Sequence, residues 1–145
     1  MATRRGGGRP GWILDPHSGG VRIPVPMQHK VERRLRAHAE KHYAGRYARL
    51  DIRFRGAFCY VDAYREPDKK ARPLLGSRET VEQLRARLRN TPIHLCRLHH
   101  YGQDEWSLAF FVYSDERYTP CVFRSGSFLG TPEDGVDVGA TCLRA

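Results

Sequence analysis

The stretch Arg49–Tyr64, RLDIRFRGAFCYVDAY, decides the fold of this chain. Apolar and polar side chains alternate on both sides of Gly56-Ala57, which is the pattern of half-buried β-strands. Glycine in the first position of a two-residue loop is typical of a type II′ turn, so the two halves are predicted to form a hairpin.

The turn also predicts which residues of the hairpin lie opposite each other. On the core face the predicted pairs are Phe54–Cys59, Ile52–Val61 and Leu50–Ala63. On the other face they are Arg55–Phe58, Arg53–Tyr60 and Asp51–Asp62. The last pair brings two like charges together, which costs stability unless Arg49, Arg97 or a metal ion compensates them. Such a pair can also share a proton and perform acid–base chemistry.

Three helices and three more strands are predicted around the hairpin. The first helix runs from about Met27 to Ala44 with Gly45 as its terminating residue, and the second from a cap at Ser77 to Arg89, after a polar loop at 65–76. The strands are Ile93–Tyr101, Trp106–Ser114 and Tyr118–Arg124, and the last helix begins at Thr131-Pro132. Pro120 predicts that the last strand lies at an edge of the sheet or contains a bulge, and the apolar run WSLAFFVYS predicts a central strand covered on both faces.

Strands arranged in hairpins favour an α+β fold with a mainly antiparallel, five-stranded sheet. The predicted order along the chain is α-β-β-α-β-β-β-α. Residues 27–145 form this domain. Residues 1–10 are a basic, glycine-rich tail expected to be disordered. Residues 11–26 are an irregular arm packed on the domain or on a partner, because their prolines and glycines disfavour both helix and central strand.

Charge is distributed unevenly along the 145 residues. Residues 1–100 carry 22 Lys/Arg against 9 Asp/Glu, whereas residues 101–145 carry 3 against 7. A positive field of this size indicates an anionic partner, and nucleic acid is the leading candidate.

The leading functional hypothesis is therefore a small module that binds nucleic acid, RNA or single-stranded DNA before duplex. Arginines hold phosphates while exposed aromatic rings stack on bases. The predicted binding residues are those of the basic and aromatic hairpin face, its leading arginines and the first helix: Arg53, Arg55, Tyr60, Tyr64, Arg46, Arg49, Arg33, Arg34 and Lys41. The alternative for the hairpin face is structural, with Arg53 lying over Tyr60 beneath a helix or the arm.

A second hypothesis is an enzyme that cleaves RNA without a metal, in the style of small messenger-RNA-cleaving toxins. Its residues would be His94, Arg97 and His99 on the third strand. Histidine would act as a general base on the 2′-hydroxyl while arginine holds the phosphate. His99 and His100 point to opposite faces, so at most one of them shares a site with His94 or Arg97.

The sequence predicts no cofactor. His38 and His42 are four residues apart on the first helix and are a weak candidate pair for a metal, although they share the apolar stripe of that helix. The four cysteines are scattered singly, and three lie in predicted strands, which favours buried free thiols.

A third hypothesis is a protein–protein module, in which the basic part docks on an acidic partner or on a second copy in a homodimer. No apolar stretch approaches the roughly 20 residues of a membrane span, and the first residues lack the apolar region of a secretory signal. We therefore expect a cytoplasmic protein with no membrane partner.

Overall fold

The predicted hairpin is present with its predicted register. In the computed structural model, which describes residues 15–143, β1 (Arg49–Arg55) pairs with β2 (Phe58–Tyr64). The six predicted residue pairs all occur, from Arg55 opposite Phe58 to Leu50 opposite Ala63. Gly56 has a φ of 60°, the left-handed value that the first position of this turn requires.

The hairpin begins a five-stranded antiparallel sheet. The other strands are β3 (Ile93–His100), β4 (Trp106–Val112) and β5 (Arg117–Cys121), in the spatial order β1-β2-β3-β4-β5. The predicted fold class and element order are confirmed, and Pro120 lies in an edge strand as predicted. The predicted end of the last strand, Arg124, is wrong, because the strand stops at Cys121.

Three helices complete the domain: α1 (Val25–Tyr43), α2 (Val81–Arg89) and α3 (Pro132–Gly139), which continues into a short 3₁₀ turn at Ala140–Cys142. Two predicted helix starts are corrected. α1 begins two residues before Met27, since Pro24 and Pro26 occupy its cap and first turn, where a missing N–H costs nothing. α2 is capped by Thr80 and not by Ser77, because Thr80 and Gln83 form a reciprocal capping box.

One face of the sheet, the helix face, is covered by α1 and α3. The buried stripe of α1 is Val31, Leu35 and Ala39, and it belongs to one core cluster with alternate residues of the strands. The opposite face carries the other half of the alternation, and neither α1 nor α3 covers it. We call it the open face; its strand residues are Arg49, Asp51, Arg53, Arg55, Phe58, Tyr60, Asp62, Tyr64, His94, Arg97, His99, Ser107, Ala109, Phe111, Tyr118 and Pro120.

Two glycines let α3 lie close to the sheet. A Cβ added at Gly135 would lie 2.5 Å from Leu98 Cδ2, and one at Gly139 would lie 2.4 Å from the carbonyl oxygen of Leu95. Thr131 caps this helix, with Pro132 following, as the sequence predicts. The glycines lower the intrinsic helix propensity of α3, but they permit the contact with β3 that stabilises it.

Arg34 joins three parts of the chain on the helix side. Its guanidinium donates to both carboxylate oxygens of Asp104, at 2.8 and 3.0 Å, and to both of Glu133, at 2.9 and 2.7 Å. These contacts connect α1 to the β3–β4 loop and to the first turn of α3. The hydrogen bond from Arg34 is the largest cause of the lowered pKa of Asp104.

The segment 15–24 crosses from the open face to the helix face around the hairpin end of the sheet. Pro16 and Gly19 lie over β3, where their carbonyl oxygens accept hydrogen bonds from Arg97 and His99. The backbone N–H of Val21 then bonds to His100, and that of Ile23 to Gly56. Ile23 is buried in the core, and α1 starts two residues later. The predicted tail 1–10 and the first residues of the arm, 11–14, lie outside the described residues.

β4 is not covered on both faces as predicted. It is the second strand from the edge, and α3 reaches only its first half, where Trp106 and Leu108 are buried. Phe110 remains 43% exposed on the helix side. Within residues 15–143, no helix combines the length and apolar character needed to cross a membrane.

The close approach of α3 is tested by replacing Gly139 with alanine. The added Cβ meets backbone and not a movable side chain, so we expect the free energy of unfolding to fall by about 1–3 kcal/mol in urea denaturation. Gly45→Ala is the matched control, because Gly45 has a φ of 85° but open space around it, and strain alone costs about 1 kcal/mol. A Gly139→Ala protein no less stable than Gly45→Ala would contradict the close contact.

The ion pairs of Arg34 with Asp104 and Glu133 are tested by comparing the stability of Arg34→Met with that of Arg36→Met. Among the described residues, Arg36 pairs with Glu32 on the exposed side of α1 and with a backbone carbonyl, so its loss should cost well under about 1 kcal/mol. Loss of Arg34 should cost about 1–3 kcal/mol at neutral pH. Because the folded-state pKa of Asp104 is lowered, its contribution exists above its ordinary pKa of 3.8 and is lost as the pH falls further. The deficit of Arg34→Met should therefore shrink in acid; a constant deficit would argue against the ion pair.

Candidate functional site

The open face combines arginines with aromatic rings. Its strands carry four arginines against two aspartates, and its β4 and β5 residues are uncharged. Part of it forms an open depression of about 600 Å³, lined by Arg53, Phe54, Arg55, Tyr60, His94 and Tyr118. Four of the residues that line this depression, Arg53, Arg55, Tyr60 and His94, are predicted site residues.

Five of the predicted binding residues share the open face. Arg53 lies 5.0 Å from the centre of the Tyr60 ring, and Arg49 lies 3.8 Å from that of Tyr64. Arg55 is exposed and has no ion pair among residues 15–143. The stacked arginines agree with the structural alternative for this face, but no helix of the core covers them, and the Arg53 side chain remains 50% exposed. Of the three arginines among these five residues, Arg55 therefore has the side chain most accessible to an anionic ligand.

The remaining predicted binding residues lie elsewhere. Arg33 and Lys41 project from the exposed side of α1, which covers the opposite face of the sheet. Arg34 is held by Asp104 and Glu133, and Arg46, in the connection after α1, lies near the ring of Tyr43. The predicted residues of the hairpin and those of α1 therefore lie on opposite sides of the sheet.

The carboxylate of Asp62 is the most buried charge of the open face, with a side chain only 4% exposed. Arg53 Nη2 donates to its Oδ2 at 2.9 Å, and His94 Nδ1 lies 2.8 Å from its Oδ1. Arg53 Nε also lies 3.3 Å from Asp51 Oδ2, so one guanidinium neutralises both aspartates. The sequence predicts that Arg49, Arg97 or a metal ion compensates Asp51 and Asp62. That prediction is corrected, because the arginine in contact with both is Arg53.

A bulge in β3 places His94 beside Asp62. Val61 lies opposite Cys96, but Asp62 lies opposite His94, so Leu95 is an extra residue on β3. Leu95 and Cys96 are both buried in the core cluster. Strict alternation would point His94 the same way as Cys96 and Leu98; the extra residue turns it to the face of Arg97 and His99.

Aromatic rings surround the imidazole of His94. Its ring centre lies 4.4 Å from that of Phe111, 5.8 Å from Tyr113 and 6.3 Å from Tyr118. Tyr118 also contacts the ring of Tyr60 at 5.6 Å. Burial raises the pKa of the Tyr118 hydroxyl, which has no hydrogen-bond partner among the described residues. Tyr113, in contrast, is 57% exposed.

The three residues of the predicted ribonuclease site share the open face, but two of them are covered. Arg97 and His99 are 8% and 2% exposed and lie beneath the segment 15–20. Arg97 donates to the carbonyl of Pro16, and its guanidinium stacks over Phe58 and Tyr118. Burial lowers the pKa of both Arg97 and His99.

His99 is held as a neutral structural group. Its Nε2 lies 3.0 Å from the carbonyl oxygen of Gly19, its Nδ1 lies 2.7 Å from the Tyr101 hydroxyl, and its ring stacks on Phe58. Both ring nitrogens are therefore engaged. Of the predicted trio, only His94 lines the open depression.

The candidate metal pair serves a structural contact. His38 Nε2 lies 2.7 Å from Asp137 Oδ1, which joins α1 to α3, and the His38 and His42 ring centres are 4.6 Å apart. Asp137 also accepts a hydrogen bond from the Tyr43 hydroxyl. Among residues 15–143 no group of three or more His, Cys, Asp or Glu side chains is arranged to hold a metal ion.

Sequence reasoning missed the Asp62–His94 pair and the aromatic residues of β4 and β5. Two signals were available: the alternation of Phe111 in β4 with Tyr113 directly after it, and the position of Tyr118 in an edge strand. The pairing of β2 with β3 could not be predicted from the sequence, because 28 residues separate the two strands and a bulge shifts their register.

A scan against protein-family models and searches of curated proteins and of solved structures found no match to this chain. The geometry of the open face is therefore the basis for assigning a function.

The compensation of Asp62 is tested by Asp62→Asn against Asp51→Asn. Loss of the buried carboxylate leaves Arg53 and His94 without their shared partner, and we expect the free energy of unfolding to fall by about 1–3 kcal/mol. The Asp51 side chain is 44% exposed, so its substitution should change stability by less than about 1 kcal/mol. Equal effects in urea denaturation would show that the Asp62 contacts contribute no more than a surface pair.

Proposed function

We propose that this protein binds single-stranded nucleic acid, RNA or DNA, on the open face of its sheet. The observation that carries the proposal is the depression where Arg53 and Arg55 meet the rings of Tyr60 and Tyr118. Guanidinium groups bind phosphates, and aromatic rings on a sheet stack on unpaired bases.

Charge supports the electrostatic half of the proposal. The formal net charge is +9, and none of the residues that line the depression is acidic. The nearby Asp62 carboxylate is buried between Arg53 and His94. The hydrogen bond to Asp62 occupies one of the five N–H donors of Arg53, and its Nε lies 3.3 Å from Asp51 Oδ2. Arg53 therefore keeps donors for a phosphate, and the Arg55 guanidinium makes no hydrogen bond to any of residues 15–143.

Ring exposure supports the stacking half. Tyr113 is 57% exposed beside His94 at the β4 end of the face. Arg55 marks the β1 end, so a bound strand would cross the sheet between them. Single strands fit this open surface better than a duplex does, because the bases of a duplex are already paired and stacked on each other.

A cytoplasmic location belongs to this proposal. All four cysteines are free, two of them buried, which suits a compartment that keeps thiols reduced.

The proposal is tested by fluorescence anisotropy with a labelled single-stranded RNA of about 12 nucleotides and the matched duplex DNA, each over a salt series. We expect Arg55→Gln and Tyr113→Ala each to weaken RNA binding by roughly tenfold, which is about 1.4 kcal/mol, because each removes a phosphate or stacking contact. Arg55→Gln should also flatten the plot of log K against log salt by about 0.7.

Arg33→Gln is the matched control for Arg55→Gln. It removes the same charge from the exposed side of α1, so only the general field changes, and binding should fall by no more than about twofold. An equal loss in the two variants would place the contact outside the open face. Absence of RNA binding at low salt would reject nucleic acid and favour an acidic protein or a second copy as the partner.

A further inference from the structure

We propose that the open face also cleaves the RNA it binds, with His94 as general base and Asp62 as the residue that positions it. This inference rests on the proposed function, since it requires RNA to lie in the same depression. It concerns His94 with a different partner from those that the sequence suggests, because Arg97 and His99 are occupied beneath the segment 15–20.

The contact with Asp62 fixes which nitrogen of His94 is available. A carboxylate 2.8 Å from Nδ1 accepts the Nδ1 proton, so in the neutral imidazole Nε2 carries the lone pair. Nε2 has no hydrogen-bond partner among residues 15–143, and the imidazole lines the depression with 23% of its side chain exposed. A base needs this arrangement: one nitrogen held by an acceptor and the other directed to substrate.

Compensation of Asp62 does not by itself require His94. Arg53 already supplies a full positive charge to the carboxylate at 2.9 Å. The β3 bulge nevertheless turns His94 out of the core to meet Asp62, and rings of Phe111 and Tyr113 flank it. Cleavage of a phosphodiester needs a positioned base and cationic groups that stabilise the charge on the phosphoryl oxygens. The imidazole of His94, with Arg53 and Arg55 in the same depression, provides both.

The reaction is an intramolecular transesterification. His94 Nε2 takes the proton of a ribose 2′-hydroxyl, and the 2′-oxygen forms a bond to the adjacent phosphorus as the bond from phosphorus to the 5′-oxygen breaks. The leaving 5′-oxygen takes a proton from water, and the resulting hydroxide recovers the proton from the His94 imidazolium. The products are a 2′,3′-cyclic phosphate and a 5′-hydroxyl. Arg55 and the free donors of Arg53 stabilise the charge that develops on the phosphoryl oxygens.

The experiment uses the full chain, a labelled single-stranded RNA of about 12 nucleotides, and a chelator throughout. DNA and 2′-O-methyl RNA of the same sequence serve as ligands without an attacking hydroxyl. Wild type should convert the RNA to fragments ending in a 2′,3′-cyclic phosphate and leave both analogues intact. His94→Gln should lower the rate by about 100-fold or more, while its affinity for the 2′-O-methyl strand changes less than about threefold.

Two further variants separate chemistry from structure. His29→Gln, at an exposed position on α1, is the control for contaminating nuclease and should retain the wild-type rate. His94→Gly should regain activity with added imidazole, which a merely structural defect would not do. Asp62→Asn should lower the cleavage rate by about tenfold or more with little change in analogue affinity, as expected of a positioning residue.

Cleavage that persists unchanged in His94→Gln would overturn the inference. So would a wild type that binds RNA and leaves it intact, although the proposed binding function would then stand. A wild type that binds neither RNA nor the 2′-O-methyl strand would reject both proposals together.

Discussion

The open face depends on the burial of one carboxylate. A carboxyl side chain that is only 4% exposed costs stability unless polar groups contact it, and the chain supplies such groups from two strands. Arg53 comes from β1 and His94 from β3, each within 2.9 Å of a different carboxylate oxygen. Because both partners converge on Asp62, the hairpin register, the β3 bulge and the orientation of His94 depend on each other.

The sheet separates two kinds of chemistry. On the helix face, α1 and α3 bury an apolar core, and charged contacts such as that of Arg34 fasten one element to another. On the open face, the charged and aromatic groups lie around a depression and retain unused hydrogen-bonding capacity. The segment 15–20 divides this face further, because it covers Arg97 and His99 and leaves Arg53 and His94 accessible.

Local sequence predicts the local structure well. The alternation around Gly56-Ala57 is sufficient to predict six of the seven pairs of the hairpin, and Thr131-Pro132 predicts the start of α3. Long-range contacts escape the same reasoning. The partnership of Asp62 with His94 depends on a bulge, and the separation of Arg33 from Arg53 depends on which face α1 covers. The exposure of Phe110 likewise follows from how far α3 reaches along β4, which the apolar run itself does not reveal.

The most direct test of this account maps bound RNA onto the protein by NMR. Unlabelled single-stranded RNA is titrated into ¹⁵N-labelled protein, and backbone amide shifts are followed residue by residue. The account predicts shifts concentrated at Arg53, Arg55 and Tyr60 and in the strand ends near Tyr113 and Tyr118, with the outer side of α1 unchanged. Shifts centred on Arg33 and Lys41, or no shifts at all, would contradict the assignment of the open face as the binding surface.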